Sequence, residues 1–257
     1  MDILRKEINS IYYSQSLDRE SLDAAEVEAC KRLAEGYVGV NGACSVITDA
    51  SCDRCYLFAG RFGSLMGLTD APELYQEVDS SDEDIIYNRL HPEDLVEKRM
   101  LEYEYFKFVD KLNAEDKTRY KGVCRIRIRN RAGDYIFLDN SVQIMRPSPA
   151  GKIWLILCCY DLSPRQDAGN GIEPRIVNNL TGEIISLSLS AQKDRILTER
   201  EKEILLLIKD GKLSKQIAGI LNISIHTVNR HRQNIIQKLS VGNSLEAVMA
   251  ATAMKLL

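Results

Sequence analysis

Residues 197–239 read LTEREKEILLLIKDGKLSKQIAGILNISIHTVNRHRQNIIQKL, and this stretch predicts three successive helices. Thr198 followed by Glu201 has the pattern of a capping box, in which the hydroxyl caps the helix and the carboxylate reaches back to the N-cap amide. Gly211 is placed to end this first helix, because glycine readily adopts the left-handed conformation at a helix C-terminus.

The second and third helices are separated by a three-residue turn at 222–224. Ser214 is predicted to cap the second helix, and Ser224 the third. Asn222 stands where the chain must turn sharply, and asparagine tolerates the left-handed backbone conformation. This spacing is typical of a helix-turn-helix.

The third helix divides into an apolar face and a polar face. Val228, Ile235 and Leu239 share the apolar face. The polar face carries hydrogen-bonding side chains and no carboxylate: His226, Asn229, Arg230, Gln233 and Gln237. Arginine can pair bidentately with guanine, and asparagine or glutamine with adenine, so this face predicts base reading in the major groove. The alternative is a polar face that is merely hydrated.

The resemblance of this region to the LuxR-type DNA-binding domain rests on four stretches: 197–205, 216–218, 223–231 and 238–239. It implies a four-helix domain whose third helix enters the major groove. It also implies that Asn229, Arg230 and Gln233 approach bases, and we add His226 from the same polar face. The family pattern usually has lysine where this chain has Asn229, so a family consensus operator does not transfer to it.

Five residues are expected to contact the DNA phosphates and fix register without reading sequence: Ser214, Lys215, Thr227, Arg232 and Lys238.

A fourth helix is predicted over about 244–257. Its apolar side is expected to carry Leu245, Val248, Met249, Thr252 and Leu256. The resemblance implies a dimer contact there, while the same stripe can pack within its own domain, and we expect both. A two-fold dimer predicts an inverted-repeat operator.

The charge distribution predicts two domains. The 257 residues carry a net charge of −3, but 193–257 alone hold 11 Lys and Arg against 6 Asp and Glu, a net of +5, which leaves −8 for the remainder. A basic end on an acidic body suggests different partners for the two parts. We predict a first domain over 1–162, a linker with a small hairpin over 163–192, and a DNA-binding domain over 193–257.

The body predicts an α+β fold. Helical periodicity appears near 21–35, where Leu22, Ala25, Ala29 and Leu33 repeat, and near 61–67, 83–90 and 93–112. Strands are predicted near 44–48, 54–58, 124–129, 135–145 and 153–160. The last three are joined by tight turns, so they should form an antiparallel meander.

Residues 44–163 resemble a PAS domain through VITD at 46–49, FAGRFGSLMG at 58–67, HPED at 91–94 and the closing YDLS at 160–163. The resemblance implies a five-stranded antiparallel sheet with helices, which binds a small molecule, haem or flavin, or only dimerises. His91 is the sole histidine there and is expected to help cap a helix rather than bind haem. The flavin motif's reactive cysteine is missing at 59–62. We therefore predict no cofactor, with the ligand unidentified.

Several other side chains were weighed as metal, ligand or anion sites, and a structural role is favoured for each. The seven cysteines are expected to be reduced thiols, and Cys52 with Cys55 lacks a second pair at metal spacing, so we predict no metal. Trp154 is expected to fill the core, although a ligand could stack on it. The arginines at 125, 127 and 129 could bind an anion, but a hydrated strand face opposite acidic residues is favoured.

We predict a dimeric, sequence-specific transcriptional regulator, without catalytic residues, that is controlled through its PAS-like domain. The chain shows no phosphate loop, nucleophile motif, secretion signal or membrane-spanning run, so we expect a cytoplasmic protein that is not an enzyme. Duplex DNA is the expected partner, and contact with RNA polymerase stays open. The alternatives are an adaptor that uses the same helices to bind protein, a promoter-reading region like that of sigma factors, and a constitutive regulator with an empty PAS core.

Overall fold

One antiparallel sheet of eight strands dominates the first part of the chain, in the order β3-β2-β1-β6-β5-β4-β7-β8. The computed structural model describes residues 3–71, 74–81, 83–167, 171–189, 196–239, 241–253 and 256–257. The chain divides into two compact units, Ile8–Leu187 and Ser188–Leu257 with Met1–Glu7. A sheet with helices followed by a helical C-terminal unit confirms the predicted α+β class.

The strands are β1 Cys44–Asp49, β2 Arg54–Ala59, β3 Leu74–Val78, β4 Tyr120–Arg129, β5 Tyr135–Pro147, β6 Ile153–Leu162, β7 Arg175–Asn178 and β8 Ile184–Ser186. The helices of the first part are α1 Ile3–Ser14, α2 Ala24–Asn41, α3 Arg61–Leu65, α4 Asp84–Tyr87, α5 Pro92–Asp110 and α6 Ala114–Lys117. Those of the C-terminal unit are α7 Glu199–Lys209, α8 Ser214–Leu221, α9 Ile225–Leu239 and α10 Ser244–Ala253.

Strand β6 lies inside the sheet, between β1 and β5, as its apolar run predicts. Its residues from Ile153 to Tyr160 are all buried, because helices cover both faces. Antiparallel pairing of β4, β5 and β6 confirms the predicted meander. The sheet has eight strands rather than the five that the PAS resemblance implied, because β3 extends one edge and β7–β8 the other.

Helix α2 packs on one face of the sheet through Cys30, Ala34 and Val38, which contact a cluster that includes Ile47 and Trp154. The helix predicted near 21–35 is present but runs from 24 to 41, and of the repeat that indicated it, Leu22 packs against the cluster from just before the helix. Leu33 is 62% exposed. The helix carries apolar residues on more than one side, so periodicity does not select the side that meets the sheet.

Helix α5 packs on the opposite face, and Tyr105 ties it to two strands. The Tyr105 hydroxyl donates to the carbonyl of Tyr120 at 3.0 Å and accepts from the amide of Ile144 at 2.9 Å. Pro92 occupies the first turn of α5 as predicted, since its missing amide costs nothing there.

The predicted linker is partly a continuation of the sheet. Strand β7 pairs with β4, and β8 pairs with β7 around a turn at Leu180–Gly182. The first unit thus runs to Leu187 instead of ending at 162, because β4 leaves an edge to which β7 adds. The predicted 192/193 boundary lies outside the described residues. In the described part of the chain, no helix is both long and apolar enough to cross a lipid bilayer.

Candidate nucleic-acid interface and polar interior

A capping box starts the C-terminal helices, as predicted. The amide of Glu201 donates to the Thr198 hydroxyl, and the Thr198 amide donates to the Glu201 carboxylate at 2.8 Å. The same carboxylate lies 2.6 Å from Lys238 Nζ, which is in α9. Burial opposes ionisation of Glu201, but the bonds from Lys238 and Thr198 outweigh it and lower its pKa. This carboxylate therefore joins the start of α7 to the end of α9.

The turn between α8 and α9 has the predicted geometry. Asn222 is left-handed, with φ 51° and ψ 48°, and its amide donates to the Ala218 carbonyl. Ser224 caps α9 by accepting from the amide of Thr227 at 3.0 Å. Ser214 does not cap α8, because the N-cap position is Leu213, whose amide donates to Gln216 Oε1 at 2.8 Å.

Helix α9 presents the predicted polar face to solvent. Val228, Ile235 and Leu239 are buried. All four predicted base-reading residues are exposed: His226, Asn229, Arg230 and Gln233. No acidic residue occurs in α9, so an approaching phosphate backbone meets no carboxylate on that helix. This face has the donors and acceptors that groove reading requires.

The predicted phosphate-contacting residues fall into two groups. Lys215 is exposed on α8, and the Thr227 hydroxyl shares a hydrogen bond with Ser224. Arg232 donates from Nη1 to the Ser214 hydroxyl at 2.8 Å and from Nε to the Ser244 hydroxyl at 3.1 Å. Arg232 thereby ties α9 to α8 and α10, as Lys238 ties it to α7.

The predicted stripe on the last helix also divides. Val248 and Leu256 are buried within the domain. Leu245, Met249 and Thr252 are exposed, the first two by 71% and 65%. These three follow helical spacing, so they form an apolar strip on the outside of α10.

The interior of the sheet unit contains a charged cluster that the sequence did not predict. Glu83, Lys98, Arg99 and Glu102 are at most 5% exposed. Lys98 pairs with Glu102, and the Tyr87 hydroxyl donates to the same carboxylate at 3.0 Å. The Lys98 and Glu102 spacing was available as a signal, although i,i+4 ion pairs ordinarily lie on helix surfaces.

A small cavity adjoins this cluster. It measures about 20 Å³, which is room for one water molecule, and it is lined by Glu83, Tyr87, Arg99, Glu102 and Cys158 among others. Burial raises the pKa of Glu83, although the nearby Lys98 opposes the shift. Burial disfavours charged Lys98, but Glu102 and its other neighbours outweigh it and raise its pKa. We call these residues with Lys98 the polar interior.

His91 does not help cap α5, as its side chain makes no capping hydrogen bond. Its ring instead packs edge-on against Tyr135 at 4.9 Å, and burial followed by repulsion from Arg127 lowers its pKa. His91, Glu93 and Asp94 are close enough to be considered as metal ligands. The guanidinium of Arg127, however, lies 2.6 Å from both carboxylates and already balances their charge.

The strand arginines do not share one environment. Arg127 faces acidic residues as predicted, but Arg125 is buried and stacks over the Phe137 ring at 4.6 Å, so a hydrated face is wrong for that position.

All seven cysteines are free thiols, with Cys52 exposed. Trp154 fills the core as predicted and donates to Asp49 at 3.1 Å.

Comparison with known proteins adds three findings. Residues 195–251 match the family model described as bacterial regulatory proteins, luxR family. The chain is 46% identical over 116 residues to the "Uncharacterized response regulatory protein YgeK" of Escherichia coli, which covers 45% of this chain and 78% of that protein. It is 36% identical over 83 residues to the "Transcriptional regulatory protein LiaR" of Bacillus subtilis, covering 31% of this chain and 39% of LiaR.

Among solved structures, a phage VqmA–DPO complex aligns over 91% of this chain and 92% of that chain, at 18% identity and a TM-score of 0.30. The curated relatives named here are regulatory proteins, and regulation is not an enzymatic activity.

Proposed function

The chain belongs to the luxR family of bacterial regulatory proteins, and on that premise we propose that it is a dimeric, sequence-specific transcriptional regulator controlled through its sheet unit. The observation that carries the proposal is the polar face of α9. Four hydrogen-bonding side chains stand exposed on a helix without a carboxylate, directly after a helix-turn-helix turn. A regulator that binds the chromosome acts in the cytoplasm, which is therefore part of the proposal.

Base reading is assigned to the exposed face of α9. Arg230 would pair with guanine through its two-pronged guanidinium, while Asn229 and Gln233 would pair with adenine. His226 lies one turn before Arg230, so it would reach the groove nearer the helix N-terminus. These four side chains set the sequence preference in the proposal.

Phosphate contacts are assigned chiefly to Lys215, at the start of α8, and to Thr227, in the first turn of α9. Ser214, Arg232 and Lys238 would support them, because their described bonds run to other side chains of the domain. Phosphate contacts fix the register of the helix on the duplex and carry no sequence information.

The dimer contact is assigned to the outer strip of α10, formed by Leu245, Met249 and Thr252. Large exposed side chains at helical spacing can bury apolar area against a second copy. A two-fold contact of this kind predicts an inverted-repeat operator. Val248 and Leu256 pack inside their own domain and are left out of the contact.

Control is assigned to the PAS-like sheet unit, with the polar interior as the place where a signal would act. Buried charges contribute little net stability compared with apolar packing, so a cluster of four charged side chains suits a functional role. A ligand would shift the regulator by binding one of its arrangements more tightly. The cavity of about 20 Å³ is small, so a larger ligand would have to displace side chains.

The adaptor alternative is favoured by a different observation. Leu206, Leu213 and Ile220 are exposed by 45% to 70% in α7 and around α8, and protein interfaces use such residues. Salt separates the two functions, because duplex affinity falls steeply with salt as phosphates are neutralised.

The test is selection of bound duplexes from a random library with the full-length protein at about physiological salt. We expect an enriched inverted repeat that disappears with the Arg230→Ala and Gln233→Ala double variant. Enrichment that survives this variant would overturn the assignment of the α9 face. No enrichment, together with duplex binding that is insensitive to salt, would favour the adaptor.

A further inference from the structure

A second polar depression lies on the surface of the sheet unit, away from the residues that form the polar interior. It has a volume of about 540 Å³ and is lined by two turns and a strand end. One turn is 67–70, which follows α3, and the other is 130–133, between β4 and β5. Three arginines, Arg89, Arg129 and Arg131, are among the residues that line this depression.

Backbone hydrogen bonds bring the three arginines together. The amide of Arg129 donates to the carbonyl of Arg89 at 2.8 Å, and the amide of Arg131 donates to the carbonyl of Leu65 at 2.9 Å. Arg89 Nη2 donates to the carbonyl of Gly67 at 2.9 Å, which orients its guanidinium. The grouping is thus set by the fold and not by flexible side chains alone.

Gly67 gives the 67–70 turn a backbone conformation that other residues rarely adopt. Its φ is +66°, and a Cβ at this position would lie 3.4 Å from the side chain of Arg131. A larger residue would be strained in the left-handed conformation. The glycine therefore fixes the path of the 67–70 turn beside Arg131 through its backbone conformation.

The charges in the depression are not balanced. Asp70 is the acidic residue among the described lining residues, and it lies 2.5 Å from Arg131 with its side chain 86% exposed. The carboxylates of Glu93 and Asp94 form ion pairs with Arg127, which lies two residues before Arg129 on β4. Within the described part of the chain, no ion pair involves Arg89 or Arg129, and these two guanidiniums retain donors for an anion.

We propose that this depression binds a small anion that carries a phosphate or carboxylate group. Guanidinium forks match the oxygens of both groups, and several charge-assisted bonds to one anion would relieve the repulsion among the arginines. Duplex DNA is disfavoured, because the residues outside 193–257 carry a net charge of −8 and their field repels a polyanion. The site is independent of the proposed DNA interface.

The test is isothermal titration of the full-length protein with inorganic phosphate and, separately, with citrate, at constant ionic strength. We expect saturable binding of one of the two probes, weakened about tenfold or more by the Arg129→Gln and Arg131→Gln double variant. The tighter probe identifies whether phosphate or carboxylate is the group recognised. Arg32→Gln, an exposed arginine of α2, is the matched control and should bind as the wild type does.

A second variant tests the sign of the effect. Asp70→Asn removes the carboxylate that competes for Arg131, so the anion should bind more tightly. A residue that merely supports the turn would not tighten binding when changed. The proposal is overturned if neither probe saturates with the wild type, if Arg32→Gln weakens binding as much as the double variant, or if Asp70→Asn fails to tighten it.

Discussion

Lys238 and Glu201 form an ion pair of 2.6 Å that joins the end of α9 to the start of α7. The Glu201 side chain is 3% exposed and also accepts the Thr198 amide, so one carboxylate serves both the capping box and the interhelical pair. The position of α9 against α7 is therefore fixed in part by this one carboxylate, away from the exposed polar face of α9.

Removing the lysine should destabilise the helical unit. Lys238→Met leaves a buried carboxylate without its cation, and we expect a loss of about 1–3 kcal/mol in the free energy of unfolding. Urea unfolding followed by circular dichroism measures it. Lys212→Met changes an exposed lysine and should be close to neutral. Equal losses in the two variants would show that the pair contributes nothing specific.

Arg230→Ala should weaken binding to the selected operator by about 1–3 kcal/mol and relax the preference at one base pair. Arg230→Lys keeps the charge but loses the fork, so it should not restore that preference. Affinity for the operator and for its single-base variants gives both quantities. Full recovery with lysine would mean that Arg230 contacts a phosphate instead of a base.

Lys215→Ala should weaken binding to all duplexes alike. The removal of one phosphate contact lowers the slope of log affinity against log salt by about 0.9. Lys209→Ala, a substitution of the exposed lysine at the end of α7, serves as the control. An unchanged slope would remove Lys215 from the phosphate-contacting set.

The C-terminal helices were predictable because their signals are local. A capping box, a left-handed asparagine and a serine cap each act within four residues, and all three occur as expected. Ser214 was misassigned as a cap because Leu213 takes that position, while Ser214 accepts a bond from Arg232 across the domain. Such a long-range partner leaves no trace in local spacing.

In the first unit, too, the environment of individual side chains depends on contacts that are distant in the sequence. Strict alternation located β4, but it could not show that Arg125 would be buried over Phe137. Helix α2 was predicted near 21–35 and runs over Ala24–Asn41, but its periodicity did not show which residues meet the sheet, since Leu33 is exposed. Lys98 and Glu102 would ordinarily be assigned to a hydrated surface, and their burial depends on what packs over α5.

Met249→Glu should weaken dimerisation without unfolding the domain. The side chain is 65% exposed, so the free monomer tolerates a charge there, whereas a two-fold contact would bury two carboxylates near each other. Sedimentation equilibrium measures the dissociation constant of the dimer, which should rise in the variant. The affinity of the variant for an inverted repeat should fall towards its affinity for a single half-site. Leu33→Glu, at a residue 62% exposed in α2, is the matched control. A dimer unaffected by Met249→Glu would place the contact elsewhere.

Glu83→Gln should flatten the dependence of stability on pH. Burial raises the pKa of Glu83 in the folded state, so the fold favours its protonated form. The associated stability is present below the unfolded value of about 4.3 and is lost as the pH rises through the folded pKa. Glutamine can still accept the Tyr160 hydroxyl, which bonds to Glu83 in the wild type.

The measurement is urea unfolding of both proteins over a series of pH values that begins below the unfolded value of about 4.3 and rises into the alkaline range. The variant should gain stability relative to the wild type between the lower and the higher pH. Glu20→Gln, which replaces a carboxylate that accepts the Ala150 amide at the surface, is the control for the loss of a carboxylate elsewhere in the same unit. Parallel slopes for wild type and Glu83→Gln would mean that Glu83 is ionised in the folded protein to the same extent as in the unfolded chain.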